Sequence, residues 1–319
     1  MAGEKQSKRR WLKWMVGGLL LLVVGPYVYS RAVSPWVAVK VFEGKGEKAE
    51  ANEGKFRVGT WNIAHGRGLS ESNWTGETRE QRLQRLDQIA VELRQANLDV
   101  VVLNEVDFNS SWSLGINQAE YLAEKAGFAY RAEQRNMDFA VGWYRWCFGN
   151  AVLSRRPIKD VRRVQMPTLV WWEPWLVGQK QALLCSVEVE NWKQVQLLGV
   201  HLEHRDEQVR VASAQMILEL PQAAEGLLCL GDFNSSPVGF PLAELNVGGD
   251  TALGNLLNSG RFCGQPITKP QPSDFTFPAD RPDRVIDWIL SPNQWTLTAQ
   301  TVGSVQLSDH RPVWAEFNK

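Results

Sequence analysis

The chain has 319 residues, 44% apolar and 22% charged, a balance able to bury one large core or two small ones. Lys plus Arg equals Asp plus Glu at 35 each, but the basic charge is concentrated at the start: residues 1–13 carry a net +4, while 25 basic face 30 acidic residues from position 56 onward. That mildly acidic body argues against non-specific polyanion binding, and the four scattered cysteines form no C-x-x-C, which excludes a thiol-redox or zinc-knuckle reading.

Residues 1–13 form a basic segment, followed by an uncharged run from Trp14 to Ser30. Seventeen helical residues span about 25 Å, close to a hydrocarbon core of ~30 Å. Trp11, Trp14, Tyr27 and Tyr29 flank the run where an aromatic belt lies. Residues 14–33 therefore read as a single-pass anchor, with a cleaved signal peptide as the competitor because Ser30-Arg31-Ala32 is a small-x-small site. Either way the body is expected outside the cytoplasm: at the membrane surface, or secreted or periplasmic after cleavage. Residues 34–55, ending in the glycine-bearing, charged "EGKGEKAEANEGK", read as a linker, so the folded domain is expected over 56–319.

From Phe56 the chain alternates apolar strand-like runs with helical stripes. "KFRVGTWNI", "LDVVVLNEV", "GNAVLSRRPI", "QALLCSVEV", "VQLLGVHLE", "LLCLGDFN", "VIDWILS" and "PVWAEF" read as strands; "ETREQRLQRLDQIAVELRQAN" and "QVRVASAQMILEL" read as helices. No stretch repeats, and a single monomeric domain of α/β class is expected. Cys185 and Cys229 lie in apolar runs and read as buried thiols.

Polar residues recur at the ends of these strands. Asn62 follows "VGTW", Glu105 ends "DVVVLNE", His201 ends "LLGVH", Asp232 and Asn234 end "LLCLGDFN", and Asp309 with His310 precedes "PVWAEF". Strand ends are where α/β folds place ligand sites. Each has a bland reading: a solvated strand end, a hydrogen-bonded histidine, or an Asx turn at Asp232 to Asn234. Together, carboxylates, amides and imidazoles suit phosphate-ester hydrolysis. Oxygen donors without clustered cysteines fit Mg²⁺ better than zinc, with Mn²⁺ or Ca²⁺ open. Pro312 lacks an N–H and is tolerated at a strand's first residue, so Asp309 and His310 are expected in the loop before the last strand.

The blocks "TWNIAHG", "VVLNEVD", "GNAVLSRRPI", "GVHLEHR", "GDFNSSP", "DRVIDWILS" and "LSDHRPV" resemble, in order, those of the endonuclease/exonuclease/phosphatase superfamily. The resemblance implies a four-layer sandwich, two packed mixed β-sheets flanked by helices, carrying a metal-dependent phosphoesterase site. By that likeness Asn62, Glu105 and Asp309 hold or border the metal. His310 is the base or transition-state stabiliser, oriented by Asp287, and Asp232 positions or deprotonates the attacking water. Asn234 and His201 contact phosphate oxygens. Arg205 is a second phosphate contact or, equally, a surface salt bridge to Asp206 or Glu207. "GNAVLSR" and "HLEHR" look closer to sphingomyelinase-like members than to DNA-repair enzymes.

Fifteen tryptophans, with "WYRW" at 143–146 and "WWEPW" at 171–175, set this chain apart. The second group reads as a hairpin tip or loop whose rings rest at a bilayer interface, stack on a substrate ring, or form a satellite cluster. The functional expectation is a membrane-tethered phosphodiesterase acting on a phospholipid head group or other small phosphodiester. The alternatives are an exported nuclease acting on DNA or RNA and a non-catalytic binding module. The last predicts loss of Glu105, Asp232, Asn234, Asp309 or His310, and all five are present.

Overall fold

The computed structural model describes residues 2–33, 39–47, 54–74, 76–176, 178–189, 192–221 and 226–318. Its helices are α1 (Ala2–Val33), α2 (Arg79–Gln95), α3 (Gln118–Ala126), α4 (Glu173–Leu176), α5 (Glu207–Glu219) and α6 (Ala252–Asn258). Its strands are β1 (Val39–Glu43), β2 (Lys55–Asn62), β3 (Val100–Asp107), β4 (Tyr130–Val141), β5 (Tyr144–Ser154), β6 (Ile158–Gln165), β7 (Gln181–Val189), β8 (Lys193–His201), β9 (Leu227–Asp232), β10 (Phe262–Cys263), β11 (Asp287–Pro292), β12 (Thr296–Val302) and β13 (Val313–Asn318).

Two mixed sheets result, one in the order β1-β4-β5-β3-β2-β13-β12 and the other β10-β11-β9-β8-β7-β6. In β3, Val100 and Val102 point between the sheets, while Val101 and Leu103 point to the layer of α2 and α3. In β9, Leu228 and Leu230 face inward and Leu227 and Cys229 face α5 and α6. Strands covered on both faces read as continuous apolar runs rather than alternating ones, which is why these were legible. The layers are helix, sheet, sheet, helix, as the family resemblance implies.

Thr78 caps α2 in a reciprocal capping box with Gln81, and Asp206 caps α5 through the N–H groups of Gln208 and Val209. These two helices are the crossovers between the parallel pairs β2/β3 and β8/β9. The C-terminal ends of all four strands therefore meet at one end of the sandwich.

Two expectations change. Part of the segment read as linker is an edge strand: β1 pairs with β4, and Gly44 and Glu47 donate to the carbonyls of Ala129 and Gly127. The body thus begins before Phe56; positions 34–38 and 48–53 lie outside the described residues. The apolar run belongs to a longer helix, with Ser7–Ala32 long and apolar enough to be a membrane span or a signal peptide. Cys147, Cys185 and Cys229 are buried and free, and burial pushes the first two thiols up to about 12. "WWEPW" falls in the connection of the antiparallel pair β6/β7, beginning before α4 and running into it.

Candidate active site

Strand register brings the predicted groups together. His201 lies beside Asp232 across the parallel pair β8/β9, and Asp232 lies beside Asp287 across the antiparallel pair β9/β11. The loop before β13 is fastened to the end of β2: Ser308 Oγ donates to the Asn62 carbonyl at 2.7 Å, and Trp61 Nε1 donates to the His310 carbonyl at 3.0 Å. His310 Nδ1 then meets Asp287 Oδ2 at 2.9 Å, and its Nε2 faces Asp232 Oδ2 at 3.7 Å. Phe277 covers the ring at 4.7 Å between centroids.

Glu105 reaches the same place by a backbone distortion. The pairing of β3 with β5 shifts register between Leu103 and Val106, and Glu105 has φ 51°. Asn234, His65 and Ala64 are also in the left-handed region. Such residues cost on the order of 1–3 kcal/mol each and gather where a site demands a particular aim. Asn104, the neighbour of Glu105, is locked in the interior by donating to Asn150 Oδ1 and the Val200 carbonyl and accepting from Asp232 N–H.

The cleft has a volume of about 380 Å³. Glu105, Lys180, His201, Asp232, Asn234, Asp309 and His310 line it, with Leu242, Phe277 and Ile286 as apolar walls. Burial opposes a charge on His310, but Asp287 and Asp232 push its imidazole up to about 10, so it is cationic at neutral pH. Burial pushes Asp232 up to about 6 against the pull of His310, with Asp287 adding to the rise. Burial alone would raise Glu105, yet His65, Lys180 and Arg67 hold its carboxyl well below the usual range. Burial and Lys180 hold His201 well below its ordinary value, hence neutral.

Asn62 behaves differently from a simple ligand. Its Nδ2 donates to Asp232 Oδ2 at 3.0 Å and Glu105 Oε1 at 3.3 Å, while its Oδ1 accepts from Ala64 N–H at 3.0 Å. It spaces the two carboxylates. Glu105 and Asp309 flank one guanidinium, with Arg67 Nη1 at 3.3 Å from Glu105 and Nη2 at 2.8 Å from Asp309. Two ionisable carboxylates that already share a cation, in an oxygen-rich cleft, fit a divalent ion such as Mg²⁺. The trio Asp232, Asp287 and His310 also brings ligand atoms within 4.8 Å of one another. There the hydrogen bond to Asp287 occupies Nδ1 of His310 and leaves Nε2 turned towards Asp232.

Asn234 lines the cleft, with its N–H bonded to Asp232 Oδ1 and its amide to the Leu202 carbonyl; the Asx turn and the site coexist. Arg205 is a correction. It lies outside this cleft, its Nε 2.7 Å from Glu203 and its Nη2 on Glu173, so it is a salt bridge, with partners other than Asp206 or Glu207. It ties the tryptophan-bearing loop to the end of β8.

Sequence reasoning missed three groups. Lys180 Nζ lies 2.6 Å from His201 Nε2, and burial lowers its pKa. Arg67 bridges the carboxylates as above. His65 stands 3.3 Å from Glu105 and 3.0 Å from Asp107, whose other oxygen accepts from Trp112 Nε1. His65 and Asp107 were visible inside "TWNIAHG" and "VVLNEVD"; Lys180, a lone basic residue before a strand, carried no signal.

A family model described as "Endonuclease/Exonuclease/phosphatase family" matches residues 59–310. No curated protein matches the chain. Among solved structures, an endonuclease/exonuclease/phosphatase from Beutenbergia cavernae superposes with a TM-score of 0.62 at 19% identity, covering 83% of this chain and 71% of that one. A mannosyl-6-phosphatase from Bacteroides thetaiotaomicron gives 0.60 at 15% identity over 83% and 100%. The human Nocturnin catalytic domain with bound sulfate gives 0.59 at 16% over 89% and 98%. At these identities the structures speak for the fold, and the family model spans most of the body; with the carboxylates and the His310–Asp287 pair at one strand end, the chain belongs to the endonuclease/exonuclease/phosphatase family.

Proposed function

We propose that the protein is a membrane-tethered phosphodiesterase, outside the cytoplasm, that hydrolyses a phospholipid head group or a similarly small phosphodiester. The observation that carries this reading is the cleft: compact, with Glu105, Asp232, Glu244 and Asp309 against Lys180, Arg284 and cationic His310, so that acidic groups still outnumber basic ones, and with Leu242, Phe277 and Ile286 on its walls. A nucleic-acid groove is expected to be long and basic; this cleft is neither. The apolar N-terminal helix supports the tether.

Asp232, ionised above about 6, takes the proton of a water attacking phosphorus. As the new P–O bond forms and the ester P–O bond breaks, cationic His310, held by Asp287, protonates the leaving alkoxide. The proton would return from Asp232 to His310 Nε2, 3.7 Å away, through one bridging water. Lys180, Asn234 and neutral His201 line the same cleft, where they would face the phosphate oxygens. A divalent cation held by Glu105 and Asp309 would polarise a phosphoryl oxygen.

The test offers the full chain in detergent phosphatidylcholine, sphingomyelin and plasmid DNA, each with Mg²⁺ and with chelator. We expect Mg²⁺-dependent release of a phosphorylated head group, abolished by chelator, with DNA intact. Cleavage of DNA alone would overturn the lipid reading in favour of an exported nuclease.

A further inference from the structure

The apolar helix and the body meet at one spot on β4. Ser30 Oγ accepts from Ala140 N–H at 3.0 Å, and Arg31 Nη2 donates to the Asp138 carbonyl at 2.5 Å. Ser30 is fully buried in this contact. Just beyond Ala140 the strand turns: Val141 pairs with Tyr144, and Gly142, with φ 55°, and Trp143 form the tip. At ~3.3 Å per residue, Trp143 stands within about 10 Å of Ala140, the residue that Ser30 touches at the end of the uncharged run.

That tip carries an aromatic group turned to the outside. Trp143 is 90% exposed and Trp74 is 66% exposed. Tyr144 lies between them, stacked on Trp74 at 6.3 Å and 13° and meeting Trp143 edge-on at 6.2 Å. Exposed clustered rings mark an interaction surface. The headgroup layer is roughly 5–8 Å deep on each side of the hydrocarbon. A tip this close to where the helix leaves the apolar zone falls in that layer, where Trp and Tyr settle with apolar faces inward and polar edges in water.

We propose that the β4–β5 hairpin tip, with Trp143, Tyr144 and Trp74, is a bilayer-docking surface that seats the catalytic body around the exit of α1. The inference rests on the tethered reading of the helix. It deepens that reading by fixing which side of the body faces lipid. Chains of contacts connect this side of the body to both walls of the cleft. On one side Trp74 meets Trp112 at 6.5 Å, Trp112 meets His65 at 5.3 Å, and His65 contacts Glu105. On the other, Gln179 N–H donates to the Asn136 carbonyl at 3.2 Å, two residues before Asp138, and the next residue is Lys180.

The full chain, with Cys263→Ser to remove the half-buried thiol, is reconstituted into phosphatidylcholine/phosphatidylglycerol vesicles. An environment-sensitive dye is placed on Trp143→Cys or, as a water-facing control, on Val247→Cys, a position 98% exposed. We expect lipid brominated high on its acyl chains to quench the dye at 143 several-fold more than at 247, and aqueous iodide to do the reverse. Iodide quenching at 143 equal to that at 247, in protein that floats with the vesicles, overturns docking while leaving the anchor intact. Protein that does not float overturns both. Neither readout depends on whether the lipid is hydrolysed, so a different substrate leaves this test unaffected.

Discussion

Replacing His310 by alanine is expected to slow hydrolysis of a soluble chromogenic phosphodiester by about 10²–10⁴-fold, the range for removing a positioned proton donor. The imidazole is buried, fixed at 2.9 Å from Asp287 and covered by Phe277, so little else can take its place. An unchanged rate would refute the proton-transfer assignment. The same group has a signature in stability. Its folded-state pKa of about 10 lies above the usual 6.5, so its protonation favours the folded protein. That contribution is complete below about 6.5 and is lost as pH rises through about 10. In chelator, the melting temperature should therefore fall across this window, and Asp287→Asn should flatten the fall.

The second large effect is expected at Glu105. Glu105→Gln preserves shape but removes one of the two carboxylates facing Arg67, leaving Asp309 alone. Altering residues that merely support metal ligands weakens binding about 10–100-fold; losing a carboxylate itself should cost at least about 100-fold in Mn²⁺ or Mg²⁺ affinity by titration calorimetry, with activity falling in parallel. A ligand at 100 times its Kd stabilises the folded state by about 2.7 kcal/mol. The wild type should show a metal-dependent rise in melting temperature that Glu105→Gln loses. Equal metal affinity in the two proteins would remove Glu105 from the ligand set.

Much of this site was legible because its residues stand at the ends of apolar strands, and Pro312 placed the start of the last one to within a residue: β13 begins at Val313 with Asp309 and His310 in the loop before it. Other elements were silent for physical reasons. β4 is buried yet carries Arg131, Glu133, Arg135 and Asp138, which pair with one another, so its hydropathy shows no strand period. β1 earns its place by pairing to β4 rather than by its own sequence. Lys180 and Arg67 belong to the site only through tertiary contacts with His201, Glu105 and Asp309, and no local pattern announces such contacts. Arg205 shows the converse: its position beside His204 suggested phosphate, and the fold gave it Glu203 and Glu173 instead.

His201, Asp232 and Asp287 occupy one row across three hydrogen-bonded strands. Their lateral spacing is set by the ladder itself, about 4.8 Å per strand, and all three strands sit in the buried sheet interior. Segments of this kind exchange their amide hydrogens only through opening of the whole domain. Asp232 and Asp287, two of the three groups proposed to handle the proton, therefore have no low-energy way to loosen on their own, and heat should abolish hydrolysis in the same cooperative step that melts the domain.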